Sequence, residues 1–309
     1  MFKTNKISVI GAGFVGSAVT FSLTESGMAS DIVLVDINED KAKGESMDIS
    51  HGAAFVRSVD LRAGSYPDTK DSDLVIITAG AGQKEGETRL DLIEKNVKIF
   101  KEMIPEIVKY SPDAILLVVS NPVDVLSYVT WKLSGLSSNH ILGSGTVLDS
   151  SRLRHILSER FDIDARNVHA HIMGEHGDSE FPMWSAASVG SMRLDYFAKE
   201  HGCALEEIKK EITKEVKNSA YQIIEKKGYT NYAVSLAVRR IAEAILRDEH
   251  SILSVSSYDE NEGIYYSAPT VVGREGKHYT VVPEMNEEEK RKLEKTIQVI
   301  KEAVEKTGL

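Results

Sequence analysis

The first half of the chain alternates short apolar runs with longer amphipathic stretches. The apolar runs have the length and unbroken hydrophobicity of strands buried on both faces, and they lie at residues 6–10, 32–35, 74–78, 115–119 and 141–143. The stretches between them predict helices over residues 13–27, 39–55 and 91–110. This order of elements predicts an α/β fold with a doubly wound parallel sheet of the Rossmann type.

The pattern changes after residue 146. Helices are predicted over 150–160, 205–227 and 232–248, and antiparallel strands over 252–258 and 263–282, with a hairpin turn at 273–276. A last helix begins at Asn286, with Glu289 three residues later as in a capping box. Since no linker separates the halves, we predict two closely packed domains, a Rossmann domain at 1–145 and an α+β substrate domain at 146–309.

Composition and charge limit the possible partners. The net charge of -10 argues against nucleic acid, whose phosphates require a basic surface. The single cysteine, Cys203, excludes an intrachain disulfide and fits a reducing compartment. Residues 7–24 carry no charge, which is also typical of a targeting or membrane segment, but their three glycines favour a strand, a turn and a helix. We therefore predict a cytoplasmic protein without a membrane partner.

A nucleotide site is predicted at the end of the first strand. Gly11, Gly13 and Gly16 form a G-x-G-x-x-G motif, in which the glycines permit a tight turn, close approach of a pyrophosphate and helix packing. Asp36 ends the next strand, 20 residues past Gly16, where a carboxylate binds a ribose diol and repels a 2′-phosphate. The motif predicts NAD rather than NADP and makes residues 1–145 an NAD-binding domain. A flavin is the alternative cofactor.

Residues that suit acid–base chemistry occur in the second half. His176 lies in a glycine-flanked loop, Asp149 could orient its ring, and Arg152 could hold an anionic substrate. From spacing alone, Asp149 and Arg152 are more often an ordinary helix ion pair. His169, His171 and His176 lack the further ligands of a metal shell, so no metal is predicted. The glycine-rich stretch 80–89 suits either a mobile loop over a substrate or a plain surface loop.

Seven segments together resemble the lactate/malate dehydrogenase family, and within it the bacterial enzymes that act on L-lactate. They are GAGFVG (11–16), LVDI (34–37), ITAGAGQKEGETRLDL (77–92), VVSNPVD (118–124), GSGTVLDSSRLR (143–154), NVHAHIMGEHGD (167–178) and GYTNYA (228–233). The resemblance covers nearly the whole chain. It implies reversible, NADH-dependent reduction of pyruvate to L-lactate in fermentation.

The resemblance implies a role for each matching residue. His176 would exchange a proton with the substrate, Asp149 would orient its ring, and Arg152 would bind the substrate carboxylate. Arg89 would polarise the ketone, and Asn121 and Thr230 would lie beside the substrate. The residues near the cofactor would be Gly11, Gly13, Val15, Gly16, Asp36, Lys41, Tyr66, Gly80, Ala81, Val119, Asn121 and Ser144.

Substrate choice and regulation depend on a few further positions. Gln83 is neutral where relatives that reduce oxaloacetate carry arginine, so the resemblance favours pyruvate. A malate or other 2-hydroxy-acid dehydrogenase and a non-catalytic NAD-binding protein are the alternatives. Gly82 and Glu85 depart from the relatives' pattern and predict a looser loop. Arg154 and His169 match positions that bind fructose 1,6-bisphosphate between subunits, which implies an activated homotetramer, with a dimer as the alternative.

Overall fold

The computed structural model describes residues 5–82 and 86–309, and of Arg89 the backbone alone. The first half contains β1 (Lys6–Ile10), α1 (Phe14–Ser26), β2 (Asp31–Val35), α2 (Glu39–Ser50), β3 (Asp60–Gly64), β4 (Leu74–Ile77), α3 (Arg89–Tyr110), β5 (Ile115–Val118), α4 (Val123–Ser134) and β6 (Ile141–Gly143).

The second half is richer in helices and adds a hairpin. It contains α5 (Val147–Phe161), β7 (Val168–His169), β8 (Ile172–Met173), β9 (Phe181–Pro182), β10 (Ser188–Val189), β11 (Met192–Arg193), α6 (Leu194–Glu200), α7 (Leu205–Lys227), α8 (Tyr232–Leu246), β12 (Ser251–Asp259), β13 (Ile264–Gly273), β14 (Gly276–Thr280) and α9 (Glu287–Glu305). Among the described residues, no helix is long and apolar enough to cross a membrane.

The central sheet confirms the predicted doubly wound fold. Its nine strands lie in the order β14-β13-β12-β6-β5-β4-β1-β2-β3, and the six from β6 to β3 are parallel. The order reverses between β1 and β4. In such a sheet the ligand binds outside the carboxyl ends of the strands, at the point of reversal.

Alternate residues of each buried strand point to opposite sides of the sheet and build two apolar cores. Ile7 and Val9 face a core shared with α1 and α8, whereas Ile10 faces a core shared with α3, α4 and α9. Helices thus cover both faces, and the central parallel strands are mostly apolar because neither of their faces meets water. This arrangement leaves the strand ends as the open positions for a site.

The two halves share one sheet. Ser256 on β12 pairs with Gly143 on β6, so the antiparallel hairpin of the second half extends the parallel sheet of the first. A Cβ added to Gly145 would lie 2.4 Å from the Ser256 nitrogen, which explains the need for glycine. The proposed boundary at residue 145 therefore lies where the halves are in direct contact.

Several elements differ from the sequence prediction. Strand β3, helices α4 and α6 and the short strands β7 to β11 were not predicted, and α2 ends at Ser50 rather than at Phe55. Helix α4 is buried along most of its length, because it packs against the sheet on one side and against α3 and α9. Its sequence is apolar on most sides, so it lacks the polar face that marks a surface helix.

Candidate active site

The glycine loop after β1 has the geometry that the motif predicts. Gly11 adopts a left-handed φ of 106°, and a Cβ on Gly16 would lie 1.8 Å from the Gly11 carbonyl oxygen. A Cβ on Gly13 would meet no described atom within 4 Å, so open space adjoins the start of α1. The first amides of a helix point outward without backbone partners and bind phosphate readily. The loop therefore fits a nucleotide pyrophosphate.

Asp36 is fixed beside this loop. Its Oδ2 accepts a hydrogen bond from the Ala12 amide (2.6 Å), and its Oδ1 accepts one from the Asn38 amide (2.8 Å). Lys41 lies in the first turn of α2, with its Nζ 5.9 Å from the centre of the Phe14 ring. A carboxylate held at this strand end suits recognition of a ribose diol.

Tyr66 occupies the turn that follows β3. Burial raises the pKa of its hydroxyl, and the nearby charges of Glu106 and Asp36 raise it further. Tyr66 therefore lies near the same strand ends as Asp36. Val15 is half-buried in the first turn of α1 and packs against the core below.

One side chain joins the loops that follow β4 and β5. Asn96, buried on α3, accepts a hydrogen bond from the Ala81 amide (2.7 Å) and donates to the Asn121 carbonyl oxygen (2.9 Å). A Cβ on Gly80 would lie 3.1 Å from the Asn96 Oδ1, so that position is also close-packed. Sequence reasoning missed Asn96. Its signal was a lone amide at a core-facing position of an amphipathic helix, which needs hydrogen-bond partners.

His176, Asp149 and Arg152 meet in one buried group. Asp149 Oδ2 lies 2.7 Å from His176 Nδ1, and Arg152 Nη1 donates to Asp149 Oδ1 at 2.6 Å. The Asp149 side chain is 3% exposed, against 28% for His176 and 15% for Arg152. Both carboxylate oxygens are therefore occupied. The His176 Nε2 remains as the ring atom that can exchange a proton.

Electrostatics keep His176 protonated. Burial of the ring lowers the pKa of His176. The charge and the hydrogen bond of Asp149 raise it by more, and the charges of Glu180 and Asp124 raise it further, so the pKa of His176 is about 9. For Asp149, burial raises the pKa, but His176 and Arg152 prevail and lower it below the usual value. The group thus holds an imidazolium beside a carboxylate at neutral pH.

The backbone of the histidine loop is anchored by both halves. The His176 amide donates to Asp124 Oδ2 (2.8 Å) on α4, and Ser256 Oγ donates to Asp124 Oδ1 (2.6 Å). The Glu175 amide donates to Thr296 Oγ1 on α9 (2.8 Å). Sequence reasoning missed Asp124, although it directly follows the Asn121–Pro122 loop. Its contacts fix His176 relative to that loop.

A second carboxylate lies next to this group. Glu180 is 6% exposed, and one of its oxygens, an imidazole nitrogen of His176 and an Asp149 oxygen lie within 4.8 Å of one another. Burial and the charge of Asp149 raise the pKa of Glu180 to about 8, although His176, Lys217 and Arg152 act to lower it. Sequence reasoning missed Glu180, because nothing in the local sequence between Ser179 and Phe181 indicates that this charged residue is buried.

The remaining substrate residues are placed less completely. Gln83, with its neighbour Glu85, lies outside the described residues, and so does the Arg89 side chain, although Arg89 begins α3. Thr230 joins α7 to α8, next to Tyr229, whose ring stacks on Phe14 at 3.9 Å. The Thr230 segment therefore lies against the start of α1.

Two of the predicted cofactor positions lie at neighbouring strand ends. Val119 directly follows β5, and Ser144 directly follows β6. The Ser144 amide donates to the Val118 carbonyl oxygen at 2.8 Å, so the two segments are in contact. Together with the loops after β1, β2 and β4, they border the point where the sheet order reverses.

Arg154 and His169 lie in a different region, beside His171. Arg154 Nη2 donates to the Ala165 carbonyl oxygen (3.2 Å), while its buried Nε has no partner among the described residues. Burial lowers the pKa of the Arg154 guanidinium. Burial, followed by the charges of Arg154 and His169, lowers the pKa of neighbouring His171 to about 4. Three basic side chains, Arg154, His169 and His171, are therefore gathered here.

Both halves match one family. Residues 5–143 match the model for the NAD binding domain of lactate/malate dehydrogenase, and residues 146–308 match that for its alpha/beta C-terminal domain. The chain is 57% identical over 304 residues to an L-lactate dehydrogenase of Clostridium perfringens, covering 97% of this chain and 96% of that protein. It is 55% identical over 311 residues to L-lactate dehydrogenase 1 of Clostridium acetobutylicum, covering 99% of each.

Solved structures extend the likeness to the whole fold. A lactate dehydrogenase from a Medee basin deep-sea metagenome library superposes with a TM-score of 0.96 at 40% identity, covering 100% of both chains. The minor L-lactate dehydrogenase of Enterococcus mundtii superposes with a TM-score of 0.95 at 35% identity, covering 98% of each. The likeness therefore includes the hairpin that extends the sheet.

Proposed function

Because the chain belongs to the lactate/malate dehydrogenase family, we propose that it is an NAD-dependent L-lactate dehydrogenase that reduces pyruvate reversibly. The observation that carries this proposal is the buried group in which Asp149 binds both His176 and Arg152. We further infer that the enzyme works in the cytoplasm and regenerates NAD during fermentation.

Different residues have different roles in pyruvate reduction. When bound, NADH supplies the hydride to the carbonyl carbon. His176 is oriented through Nδ1 by Asp149, so Nε2 donates the proton to the carbonyl oxygen. With its pKa raised to about 9, His176 carries that proton at neutral pH. In lactate oxidation the neutral ring accepts it back.

Cationic side chains bind and polarise the substrate. Arg152 has one guanidinium nitrogen on Asp149, so the rest of its planar fork is available for the substrate carboxylate. We propose that Arg89 polarises the ketone and that Thr230 and Asn121 border the substrate. Gln83 then sets the preference for pyruvate, since a neutral amide leaves the second carboxylate of oxaloacetate without a partner.

The first test compares NADH oxidation with pyruvate and with oxaloacetate. Wild-type protein should prefer pyruvate, and Gln83→Arg should shift the preference towards oxaloacetate because the new cation pairs its second carboxylate. The conservative Gln83→Asn variant controls for disturbance of the loop. A wild-type preference for oxaloacetate would overturn the substrate assignment, and tight NADH binding without turnover would favour a non-catalytic protein.

We propose that fructose 1,6-bisphosphate activates the enzyme at Arg154 and His169. The grouping of Arg154 with His169 and His171, and the Arg154 Nε without a partner among the described residues, support the proposal, because an anion that bridges two subunits would bind these basic side chains and stabilise the assembly. Replacing Arg154 and His169 together by glutamine should abolish activation. Activation that persists in this double variant would contradict the assignment.

We propose that the protein is a homo-oligomer, most simply a tetramer. Helices α1 and α8 expose a common apolar face beside α2, formed by Phe14 (62% exposed), Phe21 (61%), Tyr232 (70%) and Leu236 (59%). A patch of this kind marks an association site, and nearby charges of both signs, such as Glu25 and Arg239, suit a twofold contact. Leu236→Glu should reduce the sedimenting mass, whereas Tyr196→Glu, on exposed α6, should not.

A further inference from the structure

Three potential metal ligands converge where α8 leads into β12. Asp248 and His250 both adopt left-handed backbone conformations, with φ of 54° and 53°. His278 comes from β14, on the other side of the hairpin turn. One ligand atom from each of the three side chains lies within 4.8 Å of the other two.

The surrounding packing leaves room between these side chains. A Cβ added to Gly273 would lie 2.7 Å from His278 Nε2 and 2.8 Å from Asp248 Oδ1, so glycine keeps the space between them open. The His250 and His278 rings are 4.3 Å apart and inclined by 60°, so they do not stack face to face. Small side-chain rotations could bring the three donor atoms to coordination distance.

The charges nearby are arranged so that a cation could enter. Asp248 Oδ1 accepts a hydrogen bond from the Arg274 amide (2.8 Å), while the Arg274 guanidinium is turned towards the Leu246 carbonyl oxygen. Glu249 points elsewhere, to Arg240 and Ser251. Asp248 thus presents a carboxylate beside two imidazoles.

We propose that Asp248, His250 and His278 bind a divalent transition-metal ion such as Zn²⁺. Two imidazoles and one carboxylate suit Zn²⁺, Co²⁺ or Ni²⁺, whereas Mg²⁺ and Ca²⁺ require a shell of oxygens. All three side chains are exposed, so water completes the coordination. Sequence spacing gave no sign of this site because His278 is contributed by a separate strand.

The expected role of the ion is to stabilise the fold. Coordination would fasten the turn after α8 to β14, and an ion that binds only the folded chain raises its stability. The hairpin turn packs near Ile115 and Asn139, at the amino ends of β5 and β6. His176 lies with the loops at the opposite strand ends. We therefore expect little direct effect of the ion on pyruvate reduction.

The test uses full-length protein without a histidine tag, first treated with a chelator. Titration with Zn²⁺ in a calorimeter should give one saturable site per chain at this cluster, and the Tm should rise with free Zn²⁺. His278→Ala should weaken binding at least about tenfold, since even residues that only support metal ligands contribute that much. His155→Ala, at an exposed histidine on α5, is the matched control and should bind as wild type.

A second readout separates ligation from a general loss of stability. Co²⁺ bound by imidazole and carboxylate gives visible absorption bands, which should appear in wild type and vanish in the His250→Ala/His278→Ala double variant. Absence of saturable Zn²⁺ binding in wild type would overturn the proposal. So would binding that survives in the double variant and inhibits pyruvate reduction, because it would place the ion at Asp149, His176 and Glu180.

Discussion

Two of the arginines on helix α5, Arg152 and Arg154, lie two residues apart and have different surroundings. Arg152 donates to Asp149, which also binds His176, so both cations of this group share a carboxylate partner. Arg154 instead lies close enough to His171 to lower its pKa, and its Nε has no partner among the described residues. We call these two places the paired region and the unpaired region.

The histidines of the two regions have pKa values that are shifted in opposite directions. The pKa of His176 is raised to about 9 in the paired region, whereas burial, followed by the charges of Arg154 and His169, lowers the pKa of His171 to about 4 in the unpaired region. A site whose cations are already held by a carboxylate before the substrate binds needs little rearrangement during the reaction. A site whose arginine has no such partner among the described residues gains most when an anion binds. The first arrangement suits catalysis, and the second suits control by an anion.

The largest effect should come from breaking the paired region with Asp149→Asn. An amide neither attracts the imidazolium nor holds Nδ1 in the same way, so the pKa of His176 should fall and Arg152 should lose its partner. We expect kcat/KM for pyruvate to fall about 10³-fold. Steady-state NADH oxidation measures this loss, with NADH affinity as the control. A loss below about tenfold would show that the carboxylate contributes little to acid catalysis.

The two arginines permit a matched comparison, because the same change can be made at each. Lysine keeps the charge but loses the planar fork that binds a carboxylate at two points. Arg152→Lys should raise KM for pyruvate about 10²-fold. Arg154→Lys should chiefly weaken the response to fructose 1,6-bisphosphate. Equal effects of the two changes on KM would remove the distinction between the regions.

The two histidines should give stability opposite pH dependences. Between pH 6.5 and about 9 folded His176 holds more protons than the unfolded chain, so its stabilising effect is full below 6.5 and is lost as pH rises. Between about 4 and 6.5 folded His171 holds fewer protons, so its contribution to stability is lost as pH falls. Each contribution is on the order of 3 kcal/mol at most.

Denaturant unfolding across these pH ranges measures both contributions. His176→Asn should flatten the neutral-to-alkaline side of the stability profile relative to wild type, and His171→Asn should flatten the acidic side. The free energy of unfolding of each variant is compared with that of wild type at each pH, because Glu180, with a pKa raised to about 8, titrates in an overlapping range. Identical profiles for the two variants would contradict the contrast between the regions.

The smallest effect is expected from Glu180→Gln, which removes a charge beside the paired region. The Glu180 carboxylate helps to raise the pKa of His176, so a neutral amide should move the alkaline limb of kcat/KM for pyruvate to lower pH. We expect a shift of roughly half a unit to one unit. Glu159→Gln, at an exposed position on α5, is the control. If the alkaline limb of kcat/KM does not move, Glu180 does not influence the pKa of His176.

The local pattern predicted the cofactor loop, but not how the catalytic group comes together. Gly11 and Asp36 lie at strand ends that the apolar runs mark directly, and the observed α7 has the bounds that its periodicity predicted. His176 and Asp149, in contrast, meet only because Asp124 and Ser256 hold the histidine loop near α5. From their spacing alone, Asp149 and Arg152 are more often an ordinary ion pair. Only the family resemblance assigned both residues to the same site as His176.

What the sequence did not predict has physical reasons. Strand β3 is a polar edge strand, so it lacks the apolar run of its buried neighbours, whereas α4 is apolar on most sides and lacks a polar face. Glu180 has an ionisable side chain, which predicts an exposed position, but the surrounding fold buries it. His278 joins Asp248 only through the hairpin. These contacts depend on tertiary packing, which no local period records.

The pairing of Ser256 with Gly143 also decides which strand ends the sheet. Without the second half, β6 would expose its unpaired backbone groups, and such an open apolar edge recruits strands from other molecules and leads to aggregation. In the whole chain β12 covers that edge. The sheet then ends at β3 and β14, whose charged residues, such as Arg62 and Lys277, disfavour further pairing. The second half thus protects the nucleotide-binding sheet from self-association.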